Sequence, residues 1–318
     1  MLLKKHWHLD YTVFIVRLSN VVERKKINMK KIEIYSKIKG CRQDGAISNG
    51  YLFSFNHQGE CTVYETEALG NLKDGEAEVF SEFVLDKKDM LVPHSNSVAF
   101  GNEYYDEKDE FPLLYTNIYN NYANADNKLK GVCLVYRLQR NEREFTSTLV
   151  QIIEIGFVED ENLWKSAGEK EDARPYGNFT IDTKRGIYYA FTMRDNEHST
   201  RYFSFDLPKV TQGEWCEQYN VKKVVLSTFD IKDYFDCDYH HYVQGACCNE
   251  GKIYSLEGFT DSQENPPAIR IIDTNLKKEI IFKKFKDFGT NIEPEMIDFE
   301  DDICYYIDHN GNMYKLSF

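Results

Sequence analysis

The 318-residue sequence has no long hydrophobic run. The apolar stretch near its start, Tyr11 to Val16, is stopped by Arg17. That is far short of the roughly 20 residues a membrane helix needs. A secretory leader calls for a longer apolar region and a small-residue cleavage site, and neither is read here. Positive charge is also scarce: 39 Lys and Arg stand against 52 Asp and Glu, a formal net charge of −13. Such a balance opposes contact with phosphate backbones and anionic lipid, so neither nucleic acid nor membrane is an expected partner. No CxxC pair or zinc-ribbon spacing occurs among the eight cysteines, at 41, 61, 133, 216, 237, 247, 248 and 304. Cys247 and Cys248 point to opposite faces of their strand, which rules against a mutual disulfide. Buried reduced thiols are the expectation, and with them a cytoplasmic location. Walker loop, dinucleotide fingerprint, GxSxG and HExxH are all missing. Helical periodicity is scarce too, with Glu159 to Lys170 the best short candidate.

What the chain does have is aromatic strand sequence. It carries 22 Tyr and 21 Phe, with 42% hydrophobic residues overall. Aromatic and β-branched side chains pack well on pleated surfaces. Five stretches repeat one pattern, a polar residue followed by a small or apolar run and a turn. They are Gln43 to Ile47, His94 to Phe100, Tyr176 to Ile181, Tyr242 to Cys247 and Glu293 to Phe299. Aligned on Asp44, Asn96, Asn178, Gln244 and Glu295, they are spaced by 52, 82, 66 and 51 residues. Repeats of this length, rich in short strands, predict an all-β fold, a five-bladed β-propeller whose innermost strands line one channel.

Turn signals follow each repeat at Asn49-Gly50, Gly101-Asn102, Arg185-Gly186, Glu250-Gly251 and Asp301-Asp302. Second strands are expected at Tyr51 to Phe55, Leu113 to Tyr119, Ile187 to Thr192, Ile253 to Leu256 and Ile303 to Ile307. Third strands fit Cys61 to Tyr64, Gly131 to Leu138, Arg201 to Phe205, Ala268 to Ile272 and Met313 to Leu316. Outer strands fit Glu78 to Val84, Thr146 to Ile155, Lys222 to Thr228 and Lys278 to Lys284. The fifth blade then lacks its outer strand. Lys31 to Ile38, which alternates charged and apolar residues as an edge strand should, would supply it and close the ring. Residues 30–318 thus read as one propeller domain. Residues 1–28 read as a non-native or disordered extension. Glu23-Arg24-Lys25-Lys26, which purine-rich codons resembling a ribosome-binding site can encode, lies just before Met29, the expected true start.

The entries to the inner strands and the turns after the second strands share one face, and most long connections fall there. The acidic insertion Glu103 to Phe111 falls on the other face and reads as a solvated loop. On the ring face, Asp44, Glu293 and Glu295 supply carboxylates. His94, Arg174, Tyr176 and His240 or His241 supply donors or bases, and Asn96, Asn178 and Gln244 supply amides. Behind them on the second strands stand Asn117, Asn120, Arg194, Glu257 and Asp308. A mixed lining of this kind suits a small polar ligand such as a carbohydrate, held by several hydrogen bonds. No cofactor is expected. A divalent metal held by Glu293, Glu295, Asp44, His94 and one of His240 or His241 is a further reading, unsupported by any linear ligand motif. Asp308 to Asn312 lacks calcium-loop spacing, and Asn310-Gly311 reads as a hairpin turn.

The segments HSNSVAFGNEYYDEKDEFPLLYTNIYNNYA, RPYGNFTID, HHYVQGACCNEGKIYSLEGFT and EPEMIDFEDDICYYIDHNGNMYKL resemble a family of uncharacterised bacterial propeller proteins. The resemblance spans about residues 30–318 and implies the five-bladed propeller; it brings no activity with it. At the level of fold, the chain is similar to five-bladed glycosidase and lectin propellers. Those hydrolases place three acids on different blades, whereas the second to fourth ring positions here are Asn96, Asn178 and Gln244. Glycoside cleavage, with Asp44 and Glu295 as the carboxylate pair, is therefore the alternative to simple binding. A protein-interaction platform is the third reading, which requires an exposed apolar surround to the channel mouth.

Overall fold

The computed structural model of the chain describes residues 33–39, 43–70, 72–73, 75–118, 132–155, 177–191, 199–238 and 242–318. Its first strand, β1 (Ile34–Lys37), is held in reserve for the end of the chain. Blade one contains β2 (Gly45–Ser48), β3 (Tyr51–Phe55) and β4 (Glu60–Glu65). After a short hairpin of β5 (Leu72–Lys73) and β6 (Glu76–Ala77), β7 (Ser81–Val84) completes it. Blade two begins with β8 (Val98–Phe100), β9 (Leu114–Ile118), β10 (Val132–Asn141) and β11 (Glu144–Ile155).

Blade three starts with β12 (Phe179–Asp182), β13 (Ile187–Phe191) and β14 (Thr200–Asp206). The chain then leaves it to form β15 (Glu214–Cys216) and β16 (Val221–Leu226), and returns with β17 (Asp233–Cys237). Blade four is β18 (Val243–Asn249), β19 (Lys252–Glu257), β20 (Ala268–Asp273) and β21 (Lys278–Lys284). Blade five is β22 (Pro294–Glu300), β23 (Ile303–Asp308) and β24 (Asn312–Leu316), with β1 as its outer strand. The inner strands touch in the order β2, β8, β12, β18, β22 and back to β2, which is a closed five-membered ring. The protein is a five-bladed β-propeller.

Closure is made by β1 pairing antiparallel with β24, Ile34 opposite Tyr314 and Lys37 opposite Asn312. The buried Ile38 amide then donates to the Gly311 carbonyl at 2.8 Å. The free edge of β24 is thus paired, and the short β1 becomes the outermost strand of blade five. The inner hairpins use the turn chemistry that the right-handed strand twist prefers. Asn49 and Gly50 have φ of 50° and 79°, and Glu250 and Gly251 of 50° and 72°.

Each blade buries both faces. Leu52 packs toward blade five while Phe53 packs toward blade two; Tyr188 faces blade two while Tyr189 faces blade four. The described core accordingly falls into five apolar clusters, one at each seam between neighbouring blades. This explains why strands such as Leu114–Ile118 and Phe179–Asp182 are buried along their whole length.

Two expectations need correction. The segment 222–228 is not the outer strand of blade three: β16 runs parallel to β11 and, with β15, extends blade two to six strands. Blade three is completed by β17, antiparallel to β14. In β17 Phe235 and Cys237 are buried while Asp233, Tyr234 and Asp236 face water, the alternation an outer strand needs. The insertion 103–111 is not merely solvated. Phe111 is in the core, Arg137 pairs with Asp109, Arg140 with Glu110, and Glu103 accepts from the Val210 amide at 2.9 Å. The extension 1–28, Met29 and the helical candidate 159–170 lie outside the described residues.

Candidate functional site

The aligned polar residues begin the inner strands, and their first task is to join blades. The Asp44 Oδ2 atom accepts from the Val98 amide at 2.9 Å, linking blades one and two. Ser97 Oγ accepts from the Phe179 amide at 3.4 Å, between blades two and three. Asp298 Oδ2 accepts from the Ile47 amide at 2.7 Å, between blades five and one. Gln244 Nε2 donates to Glu293 Oε1 at 2.6 Å, between blades four and five. The polar ring is therefore partly an inter-blade seam, satisfying backbone donors that a narrow channel would otherwise strand.

Asp44 has no exposed surface. Its Oδ1 atom is buried and has no hydrogen-bond partner. Burial pushes its carboxyl well above the usual aspartate range, opposed by the Val98 and Gly45 amides and reinforced by Asp298 and Glu295. Burial likewise pushes Asp298 up to about 7. Asn96 and Asn117 are buried against each other, Asn117 Nδ2 donating to Asn96 Oδ1 while Asn117 Oδ1 accepts from the Ser97 amide. Gly177, at φ 112°, passes so close that a Cβ there would meet the Ile118 carbonyl. The next residue, Asn178, is buried with its Oδ1 unpartnered. His94 is half-buried at the blade-two entry, its imidazole kept below the ordinary range by burial and by nearby His57.

The more open side of the ring lies between blades four and five. Glu295 is buried and its Oε1 sits 2.6 Å from His309 Nδ1. Burial raises its carboxyl to about 7, against the lowering hydrogen bond from His309 and with Glu293 adding to the rise. Glu293 is half-buried, its carboxyl also raised by burial. Its amide donates to Thr260 Oγ1 at 2.9 Å. Gln244 also reaches the Gly258 carbonyl, and the exposed rings of Tyr242 and Phe259 stand beside it, 4.9 Å apart. Gly245 must be glycine here: a Cβ would lie 2.5 Å from the Glu295 carbonyl oxygen and 3.1 Å from Asp44 Oδ1.

The structure thus gathers Asp44, Gln244, Glu293 and Glu295 on one side of the ring. Asn96, Asn117 and Asn178 stand together on the other side, at the seam of blades two and three. Glu257 is engaged within its own blade: Arg270 Nε donates to both carboxylate oxygens, at 3.0 and 3.1 Å, and Arg270 also pairs with Glu279. Asp308 builds the hairpin turn, accepting from the Asn310 and Asn312 amides and from the Tyr314 hydroxyl. Arg174, Tyr176, His240, His241, Asn120 and Arg194 lie outside the described residues. Among the described residues, no group of three or more His, Cys, Asp or Glu could hold a metal ion, and no helix is long and apolar enough to cross a membrane.

Sequence reasoning passed over His309, which sits in a turn read only for its hairpin geometry. The signal for it was topological, since the turn after a second strand shares the face of the inner-strand entries. Away from the ring, β15, β16 and blade three enclose a groove of about 970 Å³. Trp215 and Phe229 line it, and Phe229 is 83% exposed on a short helical turn capped by Ser227 and Asp230.

No protein-family model matches the chain, and no curated protein matches it. Among solved structures it is similar to Myxococcus xanthus glutaminyl cyclase, at 9% identity and a TM-score of 0.49, over 91% of this chain and 95% of that one. It is also similar to Saccharomyces cerevisiae Sqt1, at 6% identity and a TM-score of 0.34, over 84% and 54% of the two chains. The computationally designed Ika8 protein aligns at 8% identity and a TM-score of 0.34, over 90% and 100%. The assignment of the fold rests on the chain's own sheet topology.

Proposed function

We propose that the ring face binds a small polar ligand, a carbohydrate in first place, at the mouth between blades four and five. The observation that carries this reading is the grouping of Gln244, Glu293, Glu295 and His309 beside the exposed Tyr242–Phe259 pair. Several convergent hydrogen-bonding groups fix the orientation of a polyhydroxyl ligand, and an aromatic face takes the apolar face of its ring. His94 and Asn178, with Arg174, Tyr176 and His240 from the sequence pattern, complete the proposed lining around the ring. The seven described cysteines are free, which supports the cytoplasmic location proposed with it.

Hydrolysis is the second reading, favoured by the buried Glu295 carboxyl held 2.6 Å from His309 Nδ1; burial raises it to about 7, which suits a general acid near neutral pH. Asp44 is enclosed in the seam, so Glu293 is the better placed second carboxyl for that chemistry. The interaction-platform reading gains less, because the most exposed aromatic among the described residues, Phe229, lies on the outer groove rather than at the mouth.

A thermal-shift screen over neutral sugars, amino sugars, sugar phosphates and divalent metals tests the proposal. A sugar at 100 times its Kd should stabilise the protein by about 2.7 kcal/mol, and Gln244→Ala should remove most of that shift. A screen in which no sugar moves the midpoint, or in which the variant responds like wild type, would defeat it.

A further inference from the structure

The groove outside the ring, between β15, β16 and blade three, contains an open sheet edge. β16 pairs with β11 along Lys222 to Leu226, but on its other side β15 covers only Val221 to Lys223. The chain enters β15 through Gly213, at φ 97°, where a Cβ would lie 2.5 Å from the Lys223 carbonyl oxygen. That carbonyl therefore points toward β15, and backbone groups alternate sides along a strand. The Val225 N–H and C=O thus face the groove, where no strand among the described residues pairs with them. Open edges of this kind recruit a further strand.

The walls of the groove are held in place. Gln151 Nε2 donates to the Lys209 and Gln212 carbonyls at 2.7 and 3.1 Å, pinning the loop before β15. Ser227 and Asp230 cap each other across the turn that carries Phe229. Trp215 and Phe229, 59% and 83% exposed, line the groove. A strand added in the line of β15 would meet two different faces. Trp215, opposite Lys222, shares the face of Val224, which packs on the core between blades two and three. Glu214, opposite Lys223, shares the face of Val225.

Charge selects among strands. Lys223 is engaged by Glu154 at 3.1 Å and Lys232 by Asp206, while Glu214 is exposed and pairs with no cation among the described residues. The chain as a whole carries −13, so a second copy would bring the same sign to the groove. A basic strand brings the opposite one.

We propose that this groove docks an extended segment of a partner protein in which apolar residues alternate with Lys or Arg. The segment pairs with the Val225 edge of β16, its apolar side chains against Trp215 and Phe229 and its cations toward Glu214. The site is separate from the ring face and independent of what binds there.

NMR titration of the full chain with three blocked pentapeptides tests it: Lys-Val-Lys-Val-Lys, Glu-Val-Glu-Val-Glu, and the basic peptide with its lysine backbone nitrogens methylated. The first should perturb Glu214, Val225 and the Trp215 indole, and slow exchange of the Val225 amide. Reversing the charges should weaken binding about tenfold. Backbone methylation, which keeps charge and side chains, should also weaken it about tenfold. Phe229→Ala, a change at an exposed side chain that leaves the fold intact, should do the same. No binding of the basic peptide at millimolar concentration would overturn the proposal, as would equal binding of the acidic or methylated form. A Val225 amide already protected in the free protein would overturn it too, since the edge would then be covered by the chain itself or, if protection grows with protein concentration, by a second copy.

Discussion

Replacing Glu295 by Gln should change how the stability of the propeller depends on pH. The carboxyl is buried and raised from an ordinary 4.5 to about 7. In the unfolded chain it ionises near the lower value, in the folded chain near the higher one. Between the two, the folded protein holds a proton that the unfolded chain has lost, so stability falls as pH rises through this window and levels off above about 7. At 1.36 kcal/mol per pH unit the full fall from this one group is about 3 kcal/mol. A neutral amide of the same shape does not titrate, but it gives up the charged hydrogen bond with His309, at about 1 kcal/mol. Glu295→Gln should therefore be slightly less stable than wild type at pH 5 and about 2 kcal/mol more stable at pH 8. Urea denaturation of both proteins between pH 5 and 8 measures the difference, which cancels the contribution of Asp298; Asp44, whose rise Glu295 reinforces, changes in the same direction as Glu295 itself. A difference that stays constant across this range would refute the placement of Glu295 in a desolvated site.

Other perturbations probe the frame that holds the site. Gly245→Ala drives a Cβ against the Glu295 carbonyl and Asp44; it should cost about 1–3 kcal/mol, and an unchanged urea midpoint would show the two inner strands are not so close. Ile38→Ala empties a buried position where the first described strand meets the last. A loss of about 2–5 kcal/mol is expected in thermal unfolding, and a loss near zero would mean the closing strand does not stabilise the ring. Arg270→Ala leaves the buried Glu257 without its bidentate partner, with an expected cost of about 3–5 kcal/mol by chemical denaturation.

Much of the fold was legible because each blade uses the same local devices. A polar residue, an apolar run and a turn with positive φ at Asn49-Gly50 or Glu250-Gly251 mark the inner hairpins without reference to anything distant. The closing strand was legible for a different reason: Lys31 to Ile38 reads as an edge, and one blade lacked one. Strand order was not legible where two segments shared the same signal. Val221–Leu226 has the stronger β-branched pattern, yet Asp233–Cys237 takes the outer place in blade three, a choice made by register with β11 and β14. At the site, residue types were readable and their partners were not. Nothing local says that Glu257 is clamped by Arg270, thirteen residues away across a hairpin. Nor does sequence spacing show that Asp44 is spent on the Val98 amide while Glu295 meets His309.

The most direct test of the ring-face assignment is a chemical-shift map of the protein titrated with the sugar that gives the largest thermal shift. The perturbed resonances are expected to cluster at Tyr242, Gln244, Phe259, Glu293, Glu295 and His309. Perturbations centred instead on Trp215 and Phe229, in the groove between blades two and three, would contradict it.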